Sequence, residues 1–168
     1  MKSRKYIYRR NLPHIEKDDR EHYITFVTDQ RWELPPIARD LILQHCLHDN
    51  GIKMRLHIAV VMPDHVHMIF TPLRASATEI FSFEEIIGSI KGASAHSVNK
   101  ALKRSGRVWQ DESFDHVVRC VEHLDEKIQY VRENPVRKGL VSKPEEYQWL
   151  WQEPAQPRAA VATQAWQD

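Results

Sequence analysis

Two apolar runs on either side of a three-residue turn constrain this chain most. Residues 53–61, KMRLHIAVV, and residues 65–71, HVHMIFT, are rich in β-branched and aromatic side chains, with Met62-Pro63-Asp64 between them. Runs of that length and composition form strands. Proline cannot donate to a sheet ladder and aspartate suits turns, so the two strands join as a hairpin.

The remaining elements arrange themselves around that hairpin. Residues 22–28, HYITFVT, read as an earlier strand. Pro35-Pro36 opens a helix through about Leu47, with Ile37, Leu41, Ile42 and His45 at helical spacing. Asn50-Gly51 marks a turn and Pro72 to Ser82 a loop. A helix follows from about Phe83 to Lys103, carrying Ile86, Ile87, Ile90 and Val98 and stopped by Ser105-Gly106. Residues 114–120, FDHVVRC, predict a fourth strand. Residues 122–133 predict a last helix ending at Asn134-Pro135, because the residue before proline avoids helical geometry.

The order β-α-β-β-α-β-α predicts an α+β fold. It is the ferredoxin-like split β-α-β pattern, a four-stranded antiparallel sheet, with an added C-terminal helix. A length of 168 residues suits one domain. We place it at 21–151, after a basic arm at 1–20 and before a flexible tail at 152–168 that contains Pro154 and Pro157. No stretch approaches the roughly 18 apolar residues of a membrane helix, and the arm lacks the apolar segment of a secretory signal. Two cysteines, Cys46 and Cys120, are too few for a disulfide framework, so a cytoplasmic location is expected.

The net charge is only +1, but its distribution is uneven. Residues 1–10 hold five bases (Lys2, Arg4, Lys5, Arg9, Arg10) and residues 88–110 five more (Lys91, Lys100, Lys103, Arg104, Arg107), with no acid in either stretch. Residues 11–50 hold four bases against eight acids. Segregated positive charge is what a polyanion-binding face needs, and equally what two solvated faces would show.

His65 and His67 lie two apart on a strand, so both imidazoles point to one face and can share a divalent metal. In a chain with ten histidines the same pair also arises by chance on a half-exposed strand. Tyr130 and Asn134 are four apart on a helix and share a face. A tyrosine hydroxyl is a weak nucleophile unless a metal or base assists it, and an asparagine oxygen suits Mg²⁺ or Mn²⁺. Alone, Tyr130 would read as a core aromatic. Trp109 and Phe114 read as packing residues.

Taken together, Met62-Pro63-Asp64-His65-Val66-His67, Trp109-Gln110 and Tyr130-Val131-Arg132-Glu133-Asn134-Pro135-Val136 resemble the REP-associated tyrosine transposases. These are relatives of the single-tyrosine insertion-sequence transposases of the His-hydrophobic-His class. The resemblance spans about Tyr23 to Trp149, with Asp64 where the family frequently has asparagine. It implies a ferredoxin-like core, His65, His67 and Asn134 as ligands of Mg²⁺ or Mn²⁺, and Tyr130 as nucleophile. The implied activity is cleavage and joining of single-stranded DNA with a hairpin, through a 5′-phosphotyrosine link, by a nucleoid-associated protein. Joining two ends points to a homodimer, while some relatives of this subclass act as monomers. Lys5, Arg9, Arg10, Lys91, Lys103, Arg104, Arg107, Arg132 and Arg137 are the candidate DNA contacts, with Tyr6 and Tyr8 placed to stack on bases.

Two other readings stand beside this one. One is a domesticated, non-catalytic DNA-hairpin-binding regulator. The other is a small metal-dependent hydrolase using His65 and His67 alone, which would leave the segregated charge without a role.

Overall fold

The computed structural model describes residues 20–117 and 121–154. The hairpin forms from β2 (Met54–Val61) and β3 (His65–Pro72), closed where Met62 N–H donates to His65 O at 2.8 Å. β1 (His22–Thr28) lies on the other side of β3, and β4 (Trp109–Val117) beyond it. Connecting them are α1 (Pro36–His48), with proline in its first turn, and α2 (Phe83–Ala101), whose Ser82 hydroxyl accepts from Glu85 N–H at 3.1 Å. α3 (Val121–Arg132), α4 (Asn134–Arg137) and β5 (Leu150–Gln152) follow.

The sheet order is β4-β1-β3-β2-β5, every pairing antiparallel. Its first four strands have the expected ferredoxin-like arrangement. The expected four-stranded sheet is corrected to five, because Leu150–Gln152 pairs with Ile58–Val60 along the β2 edge. Three residues are too short for a period-2 signal; this strand is held by the ladder and by Glu153, whose carboxylate accepts from Arg55 Nε at 3.0 Å. Gln152 and Glu153 therefore lie on the sheet, and the rest of the expected tail, from 155 on, is outside the described residues, as are Lys5, Arg9 and Arg10. The fourth strand also starts earlier than expected, at Trp109 rather than 114. Its sequence WQDESFDHV is too polar to read as a buried strand, yet Trp109 anchors it in the core, edge-on to Phe26 with centroids 4.8 Å apart.

Two cores flank the sheet. α1 and α2 cover one face, packing on Ile24, Phe26, Leu56, Ala59, Val66, Met68 and Phe70. The other face carries Tyr23, Ile58, Val60, Met62 and Ile69 under Val131, Leu124 and Ile128 of α3. In β2 the alternation shifts at a bulge between Leu56 and Ile58, so that Met54 and Leu56 face one core and Ile58 and Val60 the other. Among the described residues no helix is long and apolar enough to cross a membrane.

Cys46, on the inner face of α1, is fully buried, and burial pushes its thiol up to about 12. A thiol held that high is not a thiolate near neutral pH. Alkylation at pH 8 followed by peptide mass mapping is expected to leave Cys46 unmodified in the native protein and modified once urea unfolds it.

Candidate active site

The α3 face of the sheet carries the site because strand parity sends odd-numbered residues of β1 and β3 there. His65 and His67 project to it, with Val66 and Met68 in the opposite core, as expected. Val27 lies across from His65 and Thr25 across from His67. The rings meet edge to face, and their Nε2 atoms are 3.2 Å apart.

Each imidazole is held from behind through Nδ1. His67 Nδ1 is 2.7 Å from Thr25 Oγ1 and 3.1 Å from Tyr23 Oη. His65 Nδ1 donates to Asp64 Oδ1 at 2.6 Å, and Asp64 Oδ2 accepts from Arg31 at 3.1 Å. Burial, then the charges of His65, Arg137 and Lys138, lower His67 to about 3, so its ring stays neutral at physiological pH and keeps a lone pair for a ligand. Burial raises the Asp64 carboxyl, but the bonds and charges of His65 and Arg31 outweigh it and hold it below the usual carboxylate range.

The expected single helix carrying Tyr130 and Asn134 is divided. Glu133 is the cap between α3 and α4, and Pro135 follows in the first turn of α4. Asn134 is buried on the side of the two histidines, its Nδ2 3.2 Å from His67 Nε2. Its Oδ1 is buried with no hydrogen-bond partner. Tyr130 stands at the rim, 46 % exposed. The Arg137 guanidinium lies 4.0 Å over its ring while bonding the Tyr130 carbonyl, and Lys127 Nζ is 6.0 Å from the ring. Among the described residues the Tyr130 hydroxyl makes no hydrogen bond.

The candidate cations fall into different settings. Arg132 is paired with Glu145. Arg107 bonds Asp111 at 2.8 Å, and Arg104 lies 3.9 Å over the Trp32 ring. Lys103, in the left-handed region at φ 49°, is exposed. This loop adjoins the site end of the sheet, since Asp29 N–H donates to Val108 O and Trp32 follows the Arg31 that holds Asp64. Lys91 is instead turned to the backbone of β4, Nζ donating to Gln110 O at 2.7 Å, and burial lowers its pKa. Lys91→Ala is expected to cost about 1–3 kcal/mol in urea denaturation, because a charged donor is lost from a part-buried bond. Lys103→Ala should stay within about 0.5 kcal/mol of wild type. Equal effects would contradict the contrast.

Sequence reasoning missed Asp64, Thr25, Tyr23, Lys127 and Lys138 as parts of this site. Asp64 was legible only as a turn residue. Thr25 becomes visible only once β1 and β3 are paired in register.

The family described as "Transposase IS200 like" matches residues 37–134. Compared with curated proteins, the chain has no match. A REP-associated tyrosine transposase solved bound to a REP hairpin has the same fold, with 18% identity, a TM-score of 0.67 and coverage of 87% of this chain and 82% of that one. Two further structures are more distant. A putative transposase from Deinococcus radiodurans R1 has 24% identity, a TM-score of 0.46, and coverage of 80% and 96%. A bacterial tRNA(His) guanylyltransferase-like protein with ATP has 10% identity, a TM-score of 0.48, and coverage of 84% and 70%. With TM-scores below 0.5, neither informs the function of this chain. With more than half of its length matched by the family's model, this chain belongs to the IS200-like transposases.

Proposed function

We propose that this chain is a metal-dependent endonuclease and strand transferase acting on single-stranded DNA that carries a hairpin. The observation that carries this reading is the Asn134 amide. It sits against His67 Nε2 with its own oxygen buried and unpartnered, beside a second bare imidazole nitrogen. A buried acceptor without a partner is costly, and turning the amide over presents that oxygen to the space the two Nε2 atoms border.

His65, His67 and Asn134 fit Mg²⁺ or Mn²⁺. Two neutral imidazoles and an amide oxygen are suitable donors, and cis ligands about 2.1 Å from a metal stand about 3 Å apart, close to the Nε2 separation of 3.2 Å. Among the described residues no third His, Cys, Asp or Glu joins the pair, which leaves room for phosphate oxygens and water. When bound, the metal supplies Lewis acidity that offsets charge on the scissile phosphate.

The chain's own residues do the rest. Tyr130 Oη attacks phosphorus and gives up its proton. The P–O3′ bond breaks and the departing oxygen takes up a proton, leaving a 3′-OH and a 5′-phosphotyrosine. The covalent link keeps the bond energy, so a 3′-OH can reverse the step and join strands without ATP. Arg137 and Lys127 flank the Tyr130 ring, and Lys138 stands close enough to His67 to act on its charge; together they make the rim cationic. With Lys103 and Arg104 at the same end, they suit a phosphate backbone. One subunit offers one nucleophile and strand transfer joins two ends, so a homodimer on chromosomal DNA in the cytoplasm is the proposed working form.

The test is direct. The full chain is incubated with end-labelled single strands bearing a hairpin, with and without Mn²⁺, and resolved on a denaturing gel. A labelled protein–DNA adduct and a free 3′-OH are expected only with Mn²⁺. Hairpin binding with no adduct in Mn²⁺ would instead identify the non-catalytic regulator.

A further inference from the structure

Asp64 stands apart from the three metal donors, yet its carboxylate is divided between two partners. Oδ1 accepts from His65 Nδ1 at 2.6 Å and Oδ2 from Arg31 Nη1 at 3.1 Å. The two residues of the turn that bring Arg31 there, Gln30 and Arg31, both adopt left-handed backbone, at φ 51° and 58°. That region is disfavoured for side chains of their kind, so the surrounding structure holds the turn in place. Asp64 itself is tied through its backbone, because its carbonyl accepts from both Thr28 N–H at 2.9 Å and Thr28 Oγ1 at 3.0 Å. The side chain is thereby aimed without having to hold the hairpin together.

A carboxylate only accepts, so His65 must carry its proton on Nδ1, and in the neutral ring Nε2 is left bare. His67 has no such partner: its Nδ1 meets two hydroxyls, which can donate or accept. The two imidazoles therefore differ in what fixes them.

We propose that Asp64 is a positioning residue that locks His65 in the Nδ1–H tautomer and so aims its Nε2 lone pair at the divalent metal, with Arg31 holding the carboxylate in place. This rests on the proposed metal site of His65, His67 and Asn134. A carboxylate behind a metal-bound imidazole fixes the ring and raises its basicity, and losing such a partner typically weakens metal binding by about 10–100-fold. An asparagine here presents either a donor or an acceptor and leaves both tautomers accessible.

The experiment compares the full-length wild type with Asp64→Asn, titrated with Mn²⁺ alone by electron paramagnetic resonance, without DNA. Metal-free samples labelled with ¹⁵N report the His65 tautomer through the ring-nitrogen shifts. The backbone ties of Asp64 should leave the variant folded, which circular dichroism checks. Expected are Mn²⁺ binding weakened by about 10–100-fold and a His65 signal moved from Nδ1–H toward a mixture. Equal Mn²⁺ affinity with an unchanged tautomer would overturn the role of Asp64 while leaving the metal site intact. Weaker affinity with an unchanged tautomer would overturn the positioning role, leaving only charge. A wild type that binds no Mn²⁺ would overturn the metal site and this inference with it. Should the asparagine variant misfold, Arg31→Gln read by the same two signals takes its place, with a smaller shift in the same direction expected and no shift in either overturning the proposal.

Discussion

Replacing Tyr130 by phenylalanine is expected to reduce the covalent protein–DNA adduct to background while hairpin affinity stays within about two-fold of wild type, a shift worth about 0.4 kcal/mol. The reasoning starts from what the substitution leaves alone. The ring keeps its place under the Arg137 guanidinium, 4.0 Å away, since that contact uses the π face. The hydroxyl is at the rim and bonds nothing among the described residues, so its loss leaves no buried group unpaired. Stability should therefore stay within about 0.5 kcal/mol. Only the proposed attacking oxygen is missing, and a phenylalanine ring cannot form a phosphotyrosine. Denaturing gels for the adduct and fluorescence anisotropy for binding separate the two effects. An adduct of undiminished yield would move the nucleophile to another residue.

His67→Ala should act on both chemistry and stability. It removes one nitrogen of the proposed metal site and the partner of the Asn134 amide together, so cleavage should fall by about 10²–10³-fold or more, the scale seen when one preorganised electrostatic partner is lost. It also takes the His67 partner from the Tyr23 hydroxyl, whose ring lies against that of His67 with centroids 5.8 Å apart. Thr25 remains a partner, so the loss is that of one buried hydrogen bond, about 0.5–1.5 kcal/mol. The metal-free variant should unfold at lower urea accordingly. Cleavage at the wild-type rate in saturating Mn²⁺ would rule His67 out as a donor. An unshifted urea midpoint would mean that Thr25 or water takes over its contacts.

The parts of this molecule legible in the sequence share one property: they follow from periodicity or from a turn. The β2–β3 hairpin, the common aim of His65 and His67, and the start of α2 at Phe83 all do. The parts that were not legible depend on which strand lies beside which. Thr25 reaches His67 only because β1 pairs with β3 in one register, and β5 exists as a strand only because β2 offers it an edge. Asp64 reads as a turn former, and its grip on His65 is tertiary chemistry at one residue's separation. Charge was the least legible. Lys91 and Arg107 belong to one acid-free stretch, yet the first is spent on the β4 backbone and the second on Asp111.

The bulge in β2 bears on how such a chain can change length over evolutionary time. Between Leu56 and Ile58 one extra residue, His57, switches the even-numbered side chains of the strand from one core to the other, with its ring bonded to Thr71 at 2.8 Å. Removing His57 would restore strict alternation with Met54 and Leu56 still facing one core and Ile58 and Val60 the other, because Leu56 and Ile58 already pair with the adjacent residues Phe70 and Ile69. A one-residue deletion elsewhere in β2 would instead turn the side chains on one side of it to the wrong face. The exposed stretch from Arg74 to Glu79 carries no such parity and can grow or shrink by a residue without consequence for either core. Insertions and deletions in homologous chains should therefore collect in that loop or at position 57, and a one-residue gap placed elsewhere in residues 54–61 would more often mark an alignment error than a natural variant.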